Sequence, residues 1–232
     1  MTLKCWTQKY ARKLKHLKLE FGPTKCHTIH VGEQNDECKE LYVQNHKIDI
    51  VQSETYLGDT ISNEGSNNKN LEKRYNKGIG IKNQINLVLK EAYLGKHHFH
   101  MGLLLRDTNL VNGILFNSES WYGFTIEDAK KLEQFDEMFL RQLFSAHSKT
   151  PVEFLYLECG KYPIRFIIMS RRLNFWWHIV NSKSDGLLNK FYRTQKLNPV
   201  KNDWVLNIEE DKKYLDIDLN DIKLKQMSKN KF

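Results

Sequence analysis

From Leu71 almost to the C-terminus, the apolar residues of this chain return every three or four positions. That spacing lines one face of an α-helix and calls for a mostly helical domain. Leu71, Tyr75, Ile81, Ile85, Val88 and Ala92 share one face of a first long helix, in which Gly78 and Gly80 each cost about 1 kcal/mol relative to Ala. Further helices are predicted near 98–115, 126–145, 151–158, 163–182, 185–196 and 200–214. The run Thr150-Pro151-Val152-Glu153 reads as a helix start, with a capping hydroxyl, a proline in the first turn and a carboxylate that reaches back. Thr125 with Asp128 repeats that signal more weakly.

Before Leu71 the pattern changes. Leu3, Trp6, Tyr10, Leu14 and Leu17 predict an N-terminal helix that Phe21-Gly22-Pro23 stops. Cys26–Val31, Leu41–Val43, Ile48–Val51 and Thr55–Leu57 then read as short strands of a small antiparallel patch. Ser62–Asn70, rich in Asn, Ser and Gly, reads as a loop and hinge. The predicted fold is therefore mainly α with a small N-terminal antiparallel β patch, an α+β arrangement.

The 232 residues are 40% hydrophobic, enough for one sizeable core or two small ones. No apolar run approaches the roughly 20 residues of a membrane span or the roughly 7–15 of a signal-peptide core. The expectation is an intracellular protein of nucleus or cytoplasm, with no membrane contact and no secretion. Cys5, Cys26, Cys38 and Cys159 lie far apart without a C-x-x-C pair, which suits a reducing compartment. A net charge of +8 with 12% aromatic residues favours phosphate-rich partners. The residues from Asp203 to Asp221 carry −5, so everything before Asp203 carries +9.

Three stretches taken in order, Phe21-Gly22-Pro23-Thr24-Lys25-Cys26-His27-Thr28-Ile29-His30-Val31-Gly32, Tyr56-Leu57-Gly58 and Asn117-Ser118-Glu119-Ser120-Trp121-Tyr122, carry a family signature. Lys149-Thr150-Pro151, Leu155-Tyr156-Leu157-Glu158 and Arg171-Arg172-Leu173-Asn174-Phe175 extend it over nearly the whole chain. Together they resemble the C-terminal part of non-LTR retrotransposon reverse transcriptases, RNA-directed DNA polymerases of transposable elements. The resemblance implies a palm remnant over 1–61, a hinge loop over 62–70, a thumb-like helical region over 71–146 and a C-terminal helical extension over 147–232. It makes Lys25 the lysine near the incoming nucleotide and places Tyr56, Leu57 and Gly58 in the hairpin that supports the primer's 3′ end. It also implies RNA or an RNA–DNA hybrid as partner.

Polymerisation needs carboxylates that hold two metal ions, magnesium in the intact family enzyme. The family's adjacent Asp-Asp pair occurs nowhere in this sequence. Taken as a full protein, the chain is expected to lack the fingers and the catalytic half of the palm, to hold no cofactor and no metal, and to have no catalytic residue of its own. A separate polymerase fragment is then a possible partner. The alternative readings are a helical protein-interaction module and a decayed element without a present role.

Individual residues carry competing readings. Lys25 follows a turn, where it is either a nucleotide contact or a solvated lysine. Lys69, Lys73 and Lys77 form a stripe rising about 6 Å per step, suited to following a phosphate backbone, although solvated helix faces carry such runs too. Arg165, Arg172 and Trp176 share a helix face that either contacts nucleic acid or pairs internally with the acidic helices of 203–221, and burial of the helix favours internal pairing. Cys26, His27, His30 and Cys38 have the ligand types of a zinc site but not its spacing, since neighbours on a strand point to opposite faces. His97, His98 and His100 read as an interhelix turn, and Glu209-Glu210-Asp211 with Asp216 and Asp218 as a solvated acidic surface.

Overall fold

The computed structural model describes residues 22, 25–31, 41–43, 46–92, 94–182, 185–199 and 203–217. The predicted N-terminal helix and residues Cys5, Cys38 and Asp218 lie outside them. The chain divides into two compact units, Met1–Asn70 and Leu71–Phe232.

The first unit carries the strands. β1 (His27–Thr28) pairs parallel with β3 (His46–Ile50), and β2 (Leu41–Val43) pairs antiparallel with β3, giving the order β1-β3-β2. The sheet is thus mixed rather than purely antiparallel, because the chain enters and leaves β2 before β3 returns beside β1. β4 (Ser53–Tyr56) and β5 (Asp59–Ser62) form a separate antiparallel hairpin with Thr55 opposite Thr60 and Tyr56 opposite Asp59. Polar side chains close the tract expected as a hinge. The Ser62 hydroxyl donates to Ser66 O, and the Asn70 amide donates to Asp59 Oδ1 and Asn67 Oδ1 while its carbonyl oxygen accepts from the Thr60 N–H. The helix that follows already begins at Asn68, three residues inside the tract.

The second unit is helical. α1 (Asn68–Glu91) leads through a 3₁₀ turn (Gly95–His97) into α2 (His98–Leu105), a π-helical segment (Arg106–Val111) and a helical turn (Asn112–Ile114). A second 3₁₀ turn (Ser118–Ser120) precedes α3 (Ile126–Leu143), α4 (Val152–Cys159), α5 (Ile164–Asn181), α6 (Leu187–Leu197) and α7 (Trp204–Tyr214). The core gathers Ile85 and Leu89 of α1, Leu110, Val111, Ile114 and Leu115, and the inner face of α3 with Leu132, Phe139 and Leu140. Trp176, Ile179, Trp204, Val205 and Ile208 form a second cluster between α5 and α7. Among the described residues no helix is long and apolar enough to cross a membrane.

Two local outcomes differ from the sequence reading. Thr125 and Asp128 make a full capping box: the Thr125 hydroxyl accepts from the Asp128 N–H at 3.2 Å, and the Asp128 carboxylate accepts from the Thr125 N–H at 3.0 Å. The stronger-looking signal at Thr150 caps nothing, because Pro151 adopts an extended ψ of 134° and becomes the boundary itself. Gly78 is the other surprise. A Cβ there would stand 3.1 Å from Ile114 and 3.4 Å from Phe135, so this glycine lets buried side chains approach the helix. Gly80, with nothing within 4 Å of such a Cβ, keeps only the conformational cost.

Candidate nucleic-acid interface

The Tyr56-Leu57-Gly58 segment folds as the tip of the β4–β5 hairpin. With Tyr56 and Asp59 as the closing pair, Leu57 (φ 49°) and Gly58 (φ 89°) occupy the two central positions, both left-handed as a type I′ turn requires. Glycine accepts that geometry freely. Leucine does not, at a cost of about 1–2 kcal/mol. The side chain held there at such expense is 74% exposed, beside a Tyr56 that is 66% exposed. The hairpin tip therefore offers an aromatic ring and a branched aliphatic chain to solvent on a strained backbone.

On α1, Lys73 and Lys77 are exposed. Lys69 is only half-exposed, and its ammonium lies 3.6 Å from Glu64. Nearby cationic side chains serve the fold. Arg74 is buried with its guanidinium 5.4 Å from the Phe116 ring centre, and Arg171 donates to Leu115 O and Asn112 Oδ1, both at 2.6 Å. Lys25 is exposed, and its backbone N–H closes a turn onto Gly22 O at 2.9 Å.

Arg165, Arg172 and Trp176 lie on one side of α5, but two of the three are engaged inside the domain. Arg172, 4% exposed, forks Asp211 of α7 with Nε at 2.7 Å from Oδ2 and Nη2 at 3.2 Å from Oδ1. Burial pushes the Asp211 carboxyl above its ordinary range, and Arg172 pulls it back only in part. The face of the Trp176 ring is covered by the Lys212 ammonium at 4.0 Å, and its indole N–H donates to Tyr192 Oη. With face and edge both occupied, Trp176 presents no surface on which a base can stack. Arg165 is partly exposed; its guanidinium sits 5.2 Å from the Phe166 ring centre and its Nε lies 3.8 Å from Glu133. As clamps for nucleic acid, Arg172 and Trp176 are thus displaced by their internal partners.

Sequence reasoning missed the most buried polar network. Arg106, 1% exposed at the start of the π-helical segment, donates through Nε and Nη2 to the two oxygens of Asp136 at 2.6 and 2.5 Å. Its Nη1 donates to Asp107 at 2.7 Å, and Lys161 reaches the other oxygen of Asp107. Tyr156 Oη donates to Asp136 at 3.0 Å. Burial opposes the Arg106 charge, but the hydrogen bonds and charges of Asp136 and Asp107 more than offset it and hold the guanidinium protonated. Burial and the adjacent carboxylate push the Tyr156 phenol well up, so it stays a donor. Asp136 between Leu132, Phe135, Phe139 and Leu140 on the apolar face of α3 was the signal available.

Among the described residues no group of three or more His, Cys, Asp or Glu side chains is placed to hold a metal ion. His27 pairs with Glu54 at 2.8 Å, Cys38 lies outside the described residues, and His97, His98 and His100 sit around the 3₁₀ turn that leads into α2. Cys159 is half-buried and burial raises its thiol pKa, which makes it a poor nucleophile. Asp211 and Asp216 flank the end of α7 rather than forming a carboxylate pair. Compared with known proteins, the chain matches no family model, no curated protein and no solved structure.

Proposed function

We propose that the chain binds RNA or an RNA–DNA hybrid as a reverse-transcriptase-like module of retrotransposon origin and does not polymerise by itself. The observation that carries this reading is the hairpin tip. The Tyr-Leu-Gly segment that resembles the family's primer-supporting hairpin is a hairpin here, and it leaves Tyr56 and Leu57 exposed at its tip, Leu57 on a left-handed backbone that costs a leucine conformational energy. A tyrosine ring stacks on any base, for about 1–3 kcal/mol per contact. The exposed Lys73 and Lys77 of α1 supply charge for a phosphate backbone without reading its sequence. Lys25 is the proposed relict of a nucleotide contact. In the proposed division, residues 1–61 are the palm remnant, 71–146 the thumb-like region and 147–232 the extension, with magnesium belonging to the carboxylates of an intact enzyme.

Fluorescence anisotropy with a labelled RNA–DNA hybrid tests the proposal. Saturable binding, weakened about 5- to 100-fold by Tyr56→Ala, is the expected result. Absence of saturable binding, or binding indifferent to Tyr56→Ala and to Lys73→Ala with Lys77→Ala, overturns it. The exposed Leu187, Leu188 and Phe191 on α6 favour a second reading, an apolar surface for a protein partner. No saturable hybrid binding, together with association with a protein that survives high salt and depends on those three residues, selects it.

A further inference from the structure

Two helices of the second unit leave an apolar face uncovered, and the two faces carry opposite charge. α4 turns Leu155 and Tyr156 into the core, with Val152 and Cys159 partly buried beside them. Its other side presents Glu153, Phe154, Leu157 and Glu158, which fall within about 140° of one another around the helix. Phe154 is 55% and Leu157 78% exposed, and a carboxylate flanks them on either side. α4 holds no basic residue, so its two glutamates leave it at −2. α6 is the counterpart. It is held to the domain through Asn189, whose amide donates to Ile179 O at 3.1 Å, and Tyr192, whose hydroxyl accepts from the Trp176 indole at 3.0 Å. Every other residue of α6 is exposed. Leu187 and Phe191 are 69% and 59% exposed, with Leu188 beside them and Lys190 and Arg193 along one edge. With Lys196 in its last turn and no acidic residue, α6 carries +3.

Among the described residues no salt bridge or side-chain hydrogen bond engages Glu153, Glu158, Lys190, Arg193 or Lys196. Both faces are open in the same chain, so neither covers the other. Large apolar side chains grouped on one exposed face mark a contact surface, and the charge beside them says what fits it. α4 calls for a helix that is apolar and basic, α6 for one that is apolar and acidic. The chain supplies both. Phe154 and Leu157 stand three residues apart and Leu187 and Phe191 four apart, the two ridge spacings that interlock when helices cross at about 20°.

We infer that the chain associates with itself, α4 of one copy packing on α6 of the next, with Phe154 and Leu157 against Leu187 and Phe191 and with Glu153 and Glu158 facing Lys190 and Arg193. A contact between two different faces is heterologous, so it passes from copy to copy and stops at a small number only where the rotation closes a ring. Two helices of two to three turns bury less than the roughly 1,600 Å² of a standard interface, which makes the association weak and dependent on concentration. It uses neither the hairpin tip nor Lys73 and Lys77, so it stands or falls apart from hybrid binding. Of the protein-partner reading it keeps only the exposure of α6, and it names the partner.

Sedimentation velocity of the full chain, freed of nucleic acid, from about 5 μM to about 500 μM tests this. A mean mass that rises above the monomer with concentration and falls back with added salt is the expected result. Glu153→Lys with Glu158→Lys leaves the chain two basic faces, and Lys190→Glu with Arg193→Glu leaves it two acidic ones. Each double variant alone should associate at least about tenfold more weakly than the parent. The second lowers the net charge of +8 by four, so general repulsion would act the other way. Mixed in equal amounts, the two variants should regain association to within about threefold of the parent, because each reversed face meets its complement on the other variant. All four positions are exposed, and both variants should melt close to the parent. A monomer at every concentration, association that the reversals leave unweakened, or a mixture no stronger than its components would overturn the inference.

Discussion

Replacing Arg172 by Ala separates a fold-bearing arginine from a ligand clamp. Both side chains of the Arg172–Asp211 pair are 5% exposed, and the carboxylate faces the fork with both oxygens. Removing the guanidinium leaves Asp211 buried without its counter-charge, a change that costs about 3–5 kcal/mol. For a domain of this size 1 kcal/mol moves the midpoint by about 2–4 °C, so the variant should melt roughly 6–20 °C below the parent at neutral pH. The pH dependence has a fixed sign. Asp211 titrates above its ordinary range in the fold, so its contribution to stability is largest in acid and is lost as pH rises through the raised value. Without Arg172 that rise grows, and the gap between variant and parent should narrow as pH falls toward and below 4. Replacing both partners by apolar residues, Arg172→Met with Asp211→Leu, should recover most of the loss. Thermal unfolding followed by circular dichroism at several pH values is the assay. An Arg172→Ala variant that melts within about 1 °C of the parent would refute the reasoning and return Arg172 to the list of ligand contacts.

Asp136→Ala should destabilise by about 3–5 kcal/mol, because it strands the fully buried Arg106 and the Tyr156 hydroxyl together, and Tyr156→Phe by about 1.5–3 kcal/mol; chemical denaturation measures both. Gly80→Ala should stabilise the chain by about 0.5–1 kcal/mol, whereas Gly78→Ala should gain nothing or destabilise, since its methyl group meets Ile114 at 3.1 Å; their order in a melting experiment decides. Leu57→Asn should raise stability by about 1 kcal/mol through relief of the left-handed leucine while weakening hybrid binding, a pair of opposite changes that a merely structural hairpin would not produce.

The helical half was legible because each amphipathic period reports burial locally, and the observed helices fall within a few residues of the predicted ranges. Four of the short strands were legible as segments, whereas β5 (Asp59–Ser62) was not read as a strand, and the pairing was not legible, since nothing in His27–Thr28 announces that it will lie parallel to His46–Ile50. The Thr150 cap failed on one dihedral: Pro151 has the required φ of −57° but an extended ψ, so the helix starts one residue on. Gly78 looked like a weakness because its packing partners, Ile114 and Phe135, are remote in sequence. The same distance hid Arg106–Asp136, whose partners are 30 positions apart, whereas Arg172 found the acidic region that its own burial demanded.

The salt dependence of hybrid binding bears most directly on the claim that this chain follows a phosphate backbone. The logarithm of the association constant should fall linearly with the logarithm of salt concentration, by about 0.7–0.9 for each phosphate contact. Lys73→Ala with Lys77→Ala should flatten that slope by about 1.4–1.8. A slope that the double variant leaves untouched would contradict the account.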